Sequence, residues 1–364
     1  MTFPELAYIS WAKSLPRVPV NLARSGIELA PAALLKLKAA DLVTNLAVRY
    51  GYAPLGEAIA HRYGVGVDRV FPISGGTSFA NWLACAAALD GHDRAEVIVE
   101  RPAYEPLIRI PQALGHRVRR LDRRFADGYA IDLDRFRSLI TRRTRLAIVT
   151  NLHNPSGVRI PMATLREMAD ALARVGACLL VDEVYLECTF RRRPRSCVHA
   201  GPNVATTNSL TKAYGLDGLR AGWILGPPAV VARAGRINDL LANNSVAPGE
   251  QMTLAAFRRH RAIDGRAHAL LDPNLAALGR FFATEARLEA VMPDGGSVAF
   301  PRVGGGIDAE ALADRLVRTY RTLVVPGRFF ESPRHIRISF GCRPAVLARG
   351  LANLSRALDD LAAQ

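Results

Sequence analysis

Between Val70 and Leu225 the chain alternates short apolar runs with longer segments of helical spacing, and this alternation restricts the fold more than any other feature. The strand-like runs are Val70–Ser74, Val97–Glu100, Leu146–Thr150, Leu179–Val181, Val204–Thr207 and Gly222–Leu225. The predicted helices between them include Ser78–Leu89, Ala103–Leu114 and Met162–Arg174. Parallel strands need a crossover of a dozen or more residues, usually a helix. The expectation is therefore an α/β fold with a mostly parallel sheet sandwiched by helices. In such sheets a ligand sits outside the carboxyl ends of the strands. Gly75, Gly76, Thr77, Tyr104, Asn154, Asp182 and Ser209 all fall just past predicted strand ends, which marks that edge as the candidate site.

The flanking segments break the alternation. Residues 1–45 carry Pro16, Pro19 and Pro31 and read as an irregular N-terminal arm that also feeds a smaller domain. Residues 46–240 are assigned to the large domain, and 241–364 to an interdomain helix and a smaller α+β domain. In that last part a helical stretch runs from Ile237 to Ala290. Strand-like runs follow at Ser297–Pro301, Leu323–Val325 and Ile336–Phe340, with helices at Asp308–Arg321 and Ala345–Ala362.

A net charge of +15 invites a nucleic-acid reading. Its makeup argues against one: 44 arginines stand against four lysines, as if arginine served wherever a cation is wanted. The densest run, Arg191 to Arg195, reads as a solvated loop after a strand. No helix-turn-helix pattern precedes the first strand–helix unit. Five scattered cysteines with no Cys-x-x-Cys spacing suggest buried thiols, not disulfides or a zinc site. With no apolar run of membrane-spanning length and no signal-peptide core at the N-terminus, the expectation is a cytoplasmic protein that binds neither nucleic acid nor membrane.

The scarcity of lysine makes Lys212 conspicuous. It stands in Ser209-Leu210-Thr211-Lys212, among small and hydroxyl residues. An enclosed lysine loses its proton more readily and suits a Schiff base, while Ser209, Thr211 and Arg220 suit an anion such as a phosphate. The alternative is an ordinary surface loop. Asp182 ends an apolar strand and needs a partner there, a protonated pyridine nitrogen or a helix terminus it caps. Gly75-Gly76-Thr77 between strand and helix is either a phosphate cradle or only a turn. Tyr104 either stacks on an aromatic ring or packs, and Asn154-Pro155-Ser156-Gly157 reads as a turn.

Taken in order, these segments resemble the class I/II aminotransferases of pyridoxal-phosphate (PLP) fold type I. The family's Asn-Pro-x-Gly appears as Asn154–Gly157, and its Asp-Glu-x-Tyr as Asp182–Tyr185. Its Ser-x-[Ser/Thr]-Lys, with an arginine eight residues on, appears as Ser209–Lys212 with Arg220. The resemblance implies that Lys212 holds PLP and later shuttles the substrate's α-proton. It implies that Asp182 pairs with the pyridine nitrogen while Asn154 and Tyr185 bond the ring's 3-oxygen. Tyr104 would stack on the ring, and Gly75, Gly76, Thr77, Ser209 and Arg220 would hold the phosphate. Arg337 would grip the substrate α-carboxylate as a fork, with Asn154 and Gly26 beside the substrate. Tyr50 and Tyr52 compete to reach the neighbouring subunit's phosphate, with Tyr50 favoured.

The implied activity is transamination between an L-amino acid and a 2-oxo acid by a homodimer. The same residues serve a lyase, decarboxylase, racemase or cyclase, because orientation on the ring decides which bond breaks. A non-catalytic PLP- or DNA-binding regulator is the rival from another class. No second cation for an acidic substrate side chain stands out, and the amino donor stays open.

Overall fold

The computed structural model describes residues 3–38, 42, 52–187 and 195–363. Tyr50, Cys188 and the arginines at 191–193 lie outside the described residues. The chain opens with helix α1 (Ala7–Ser14), strand β1 (Val20–Asn21) and helix α2 (Ala53–Tyr63). Then come β2 (Val70–Ser74), α3 (Gly76–Leu89), β3 (Glu96–Arg101), α4 (Glu105–Ala113), β4 (Arg117–Asp122) and α5 (Leu133–Leu139). They are followed by β5 (Thr144–Thr150), α6 (Met162–Ala173), β6 (Cys178–Asp182), β7 (Val204–Ser209) and β8 (Ala221–Leu225).

β2 to β8 form one seven-stranded sheet in the order β2-β8-β7-β6-β5-β3-β4. The pairs among β7, β6, β5, β3 and β4 are parallel, whereas β8 runs antiparallel to both neighbours. The fold class is the α/β architecture expected. Alternate residues of a central strand serve opposite cores. In β5, Leu146 and Ile148 join the cluster under α3, while Ala147 and Val149 join the one under α6. In β6, Leu180 faces the first cluster and Leu179 and Val181 the second. A strand buried on both faces reads as a continuous apolar run, which is why these two were visible in the sequence.

Three features depart from the sequence reading. The N-terminal arm is not wholly irregular: α1 is a two-turn helix with Tyr8 buried. β4 had no sequence signal, because it is an edge strand whose residues, Arg-Val-Arg-Arg-Leu-Asp, present only one fully buried apolar side chain. The reversal of β8 leaves no mark on its apolar pattern either.

Helices α7 (Pro228–Leu241), α8 (Ala247–Arg258) and α9 (His260–Thr284) divide the predicted 237–290 stretch. After them come β9 (Leu288–Glu289), β10 (Val298–Ala299), β11 (Arg302–Val303), α10 (Ala309–Arg318), β12 (Thr322–Leu323), β13 (Val325–Pro326), β14 (Ile336–Ser339) and α11 (Pro344–Ala362). β14 lies between β10 and β13, antiparallel to both. β1 pairs in parallel with β12, which ties the N-terminal arm to this part of the chain. No helix among the described residues is long and apolar enough to cross a membrane. Cys85, Cys178, Cys197 and Cys342 are free and buried.

Candidate active site

The register of the sheet gathers the site. Ser74 pairs with Ala221 and Ser209 with Gly222, so the residues after β2 and β7 meet those before β8. Thr150 pairs with Asp182, and Asp182 with Thr207. The result is a cavity of about 390 Å³ that Thr77, Tyr104, Asn154, Asp182, Tyr185, Lys212, Arg220 and Arg337 all line. Gly26 lines it too. These residues are thus brought together from places up to three hundred positions apart.

One end is an anion cradle. The N–H of Gly75 donates to the carbonyl of Arg220 at 2.5 Å, and Arg220 returns a bond from Nη2 to the carbonyl of Gly75 at 2.9 Å. Gly76 has φ +72°, where an L side chain is strained, and a Cβ there would lie 2.8 Å from Arg220 Nη2 and push that guanidinium aside. The hydroxyls of Thr77, Ser209 and Thr211 cluster within 2.5 to 3.2 Å of one another beside the N-terminus of α3. Three hydroxyls, a guanidinium and a helix N-terminus together are chemically suited to an anion.

Asp182 lies 3% exposed at the end of β6. Its Oδ2 accepts from Asn81 Nδ2 at 2.7 Å and its Oδ1 from the Val184 N–H at 3.0 Å. Asn81 is fixed in turn by Thr207 Oγ1, which donates to its Oδ1 at 2.5 Å. Burial pushes the Asp182 carboxyl up to about 6 despite these donors. Asn81 escaped the sequence reading, although a lone amide in the Ala-rich apolar run of α3 is a legible sign.

Lys212 faces it across the cavity. Its Nζ donates to Ser25 Oγ at 2.5 Å. Burial first, then the charge of Arg337, lowers its ammonium to about 8, with Asp182 and Asp217 pulling the other way. Gly26 packs on the lysine backbone, where a Cβ would stand 3.3 Å from Lys212 Cα. Two residues on, Tyr214 donates to the buried Glu187, which also accepts from Tyr63 and from Arg62 of α2, the last at 2.6 Å. The lysine loop is thereby tied to α2.

Tyr185 is buried and shares a hydrogen bond with Ser25, and burial raises its phenol. Tyr104 bonds Ser78 Oγ at 3.3 Å and meets Tyr8 edge-on with ring centroids 5.9 Å apart. Arg337, on β14, is 1% exposed. Its Nη1 donates to Asn154 Oδ1 at 3.2 Å and its Nη2 to the Tyr8 hydroxyl at 2.8 Å, while Nε is buried without a partner. Tyr8 was not anticipated, since its place depends on how α1 docks. Tyr52 is the residue just before α2, its N–H on Glu250 Oε2 at 3.1 Å, and does not line the cavity. No group of three or more His, Cys, Asp or Glu among the described residues could hold a metal ion.

Asn154 is positioned from below. Its N–H donates to Thr150 Oγ1 at 2.9 Å, and Thr150 gives both its N–H and its hydroxyl to Glu100 Oε1 at 2.6 Å each. The other oxygen of Glu100 holds Arg123 at 2.8 Å, both side chains being wholly buried. Glu100→Ala leaves that guanidinium without its counter-charge. The expected result is a loss of about 3–5 kcal/mol of stability, read as a lower thermal midpoint. Glu100→Gln, which keeps the shape and one acceptor, loses less.

The sequence profile of "Aminotransferase class I and II" matches residues 21–354. Capreomycidine synthase of Streptomyces vinaceus is 34% identical over 317 residues, 84% of this chain and 78% of that protein. Arginine–pyruvate transaminase of Pseudomonas aeruginosa is 30% identical over 263 residues, 67% of this chain and 63% of that protein's length. Among solved structures, the PLP-dependent cyclase OrfR superposes with a TM-score of 0.87 at 28% identity, covering 99% of this chain and 98% of that one. The chain belongs to the class I and II aminotransferase family, whose members are PLP-dependent and share the fold-type-I architecture.

Proposed function

We propose that the protein removes the α-proton of an L-amino acid held on PLP, and that the net reaction is amino transfer to a 2-oxo acid. The observation that carries this reading is the opposition, across one cavity, of a lysine lowered to about 8 and a buried carboxylate raised to about 6. The residues fit the cofactor: the Gly76 cradle closes on Arg220, and the three hydroxyls stand ready for an anion. PLP supplies an aldehyde for the amine and a ring that draws off the electron pair left at the α-carbon.

Lys212 would hold the cofactor through its amine and, as the free amine, would take the proton from the substrate's α-carbon. Asp182 holds the pyridine nitrogen protonated, oriented by Asn81. Asn154 and Tyr185 bond the ring's 3-oxygen, and Tyr104 stacks on the ring. Gly75, Gly76, Thr77, Ser209 and Arg220 hold the phosphate. Arg337 takes the substrate carboxylate through Nε and Nη2, where the Tyr8 hydroxyl stands in for one carboxylate oxygen. The same reading includes a homodimer in which Tyr50, outside the described residues, is offered to the partner's phosphate.

A second reading has its own support. The 34% identical relative is named a synthase and the superposing structure a cyclase. In that reading the same residues serve ring closure within the substrate, as the word cyclase says of that structure, and no amine is transferred. The arginine–pyruvate transaminase supports the first reading. Incubating the PLP-loaded protein with amino acids and no oxo acid separates the two. A transaminase stops after one equivalent of oxo acid per site, its visible cofactor absorbance lost, which is the expected result. Continued turnover without an acceptor would favour the synthase, and no spectral change with any amino acid would end both.

A further inference from the structure

Segment 23–25 crosses the site from one substrate anchor to the other. The carbonyl of Ala23 accepts from Arg337 Nη2 at 3.4 Å, and Ser25 Oγ accepts from Lys212 Nζ at 2.5 Å. Between them Arg24 reaches over to Asp217, Nη2 to Oδ2, at 3.7 Å. Both residues line the cavity, with side chains 42% and 49% exposed, so the pair stands at its mouth. A substrate fixed at its carboxylate by Arg337 and at its α-carbon by Lys212 sends its side chain past this pair. On the way it meets Ile9 and Ala12 of α1 and Leu15 just past its end, which line the same cavity.

The charges of the cavity assign themselves one by one. Arg337 serves the substrate carboxylate, Arg220 the phosphate and Asp182 the ring nitrogen under the reading above. Arg24 and Asp217 are left, joined only at a distance beyond a hydrogen bond. The two are not equivalent. Asp217 opens the short 217–219 turn, and its own carbonyl accepts from both the N–H and Nη1 of Arg220 at 3.3 Å. Its carboxylate hangs on one methylene from a backbone that the cradle holds. Arg24 has a long, flexible stem with 42% of its side chain exposed, so it can swing out at the small cost of a surface ion pair. A second carboxylate brought to this mouth would meet an Asp217 that cannot withdraw. A cation would meet an Arg24 that can.

We propose that Asp217 is the receptor for a cationic group at the end of an aliphatic side chain, the guanidinium or ammonium of an arginine-, ornithine- or lysine-like amino acid, with Arg24 standing in for that group until it arrives. The inference rests on the PLP reading above and deepens it. The Arg24 guanidinium lies against the carboxylate that the substrate's own guanidinium would take.

The test compares L-arginine with L-citrulline, its neutral isostere, and with L-glutamate, on the PLP-loaded full-length protein. The readout is the amino-acid concentration that half-completes the cofactor's absorbance change. L-arginine is expected to act at a concentration about tenfold or more below that of L-citrulline, as a charge-assisted hydrogen bond implies. Asp217→Asn erases the preference, and Arg24→Ala lowers the arginine concentration needed by removing the competitor. A wild-type protein that responds equally to arginine and citrulline, or better to glutamate, overturns the proposal and leaves the PLP reading standing. No absorbance change with any of the three, or with a wider set of amino acids, overturns that reading and this one with it.

Discussion

Lys212→Ala is expected to lower turnover by about 10³-fold or more, because in the proposed mechanism one amine both carries the cofactor and removes the α-proton. Borohydride reduction of the loaded wild-type protein should leave the cofactor bonded to the peptide containing Lys212, and the variant should yield no such peptide. Lys212→Arg separates chemistry from charge: it keeps a cation at the position, but a guanidinium cannot give up its proton in a protein. It should be as inactive as the alanine variant. The wild-type amine also sets a pH dependence. With its ammonium lowered to about 8, chiefly by burial, the neutral amine is about one tenth of the population at pH 7. Capture of added PLP by the cofactor-free protein should therefore quicken as pH rises through 8 and level off above it. Arg337 contributes to the lowering. Arg337→Met should accordingly raise the amine's midpoint and move the profile to higher pH. A variant at position 212 that keeps more than a tenth of wild-type turnover would remove this lysine from the mechanism.

The parts of the molecule legible in the sequence are those where local pattern and function coincide. β5 and β6 announce themselves because burial on both faces demands unbroken apolar runs, and Asp182 stands out by ending one of them. Lys212 is conspicuous because lysine is so rare in this chain. Other features depend on tertiary packing and have no local trace. The reversal of β8, which carries Arg220 to Gly75, follows from pairing with β2 across some 150 residues. α1 spans only eight residues, too few to show a helical period, yet it delivers Tyr8 to Arg337. Asp217 and Arg24 look like ordinary surface charges until the cavity brings them together. β4 is hidden because an edge strand partly covered by solvent tolerates arginine at alternate positions.

Asp182→Asn is the second large effect expected, a loss of about 10²–10³-fold in the rate of α-proton removal with a nearly unchanged thermal midpoint. The geometry explains why the two readouts part. Each oxygen of Asp182 already accepts one hydrogen bond, from Asn81 Nδ2 and from the Val184 N–H. An asparagine can keep its oxygen on Val184 and turn its NH₂ toward Asn81. The Asn81 amide then flips to offer its oxygen, and its NH₂ meets Thr207 Oγ1, a hydroxyl that can accept as readily as donate. All three side chains stay paired, so the fold loses little, and what disappears is the buried negative charge proposed to face the ring nitrogen. Without that charge residue 182 would no longer hold the nitrogen of a bound ring protonated, and the ring would draw electrons less strongly. Asp182→Glu, which restores the charge with displaced geometry, should recover part of the rate. Asn81→Ala acts on the same carboxylate more gently. Its donor helps hold the Asp182 carboxyl down against burial, so its removal raises that carboxyl further above about 6. The acid limb of the activity profile should then move to higher pH while the plateau above it changes little. If instead Asp182→Asn cost less than tenfold in rate, this carboxylate would not be the group that keeps the ring cationic.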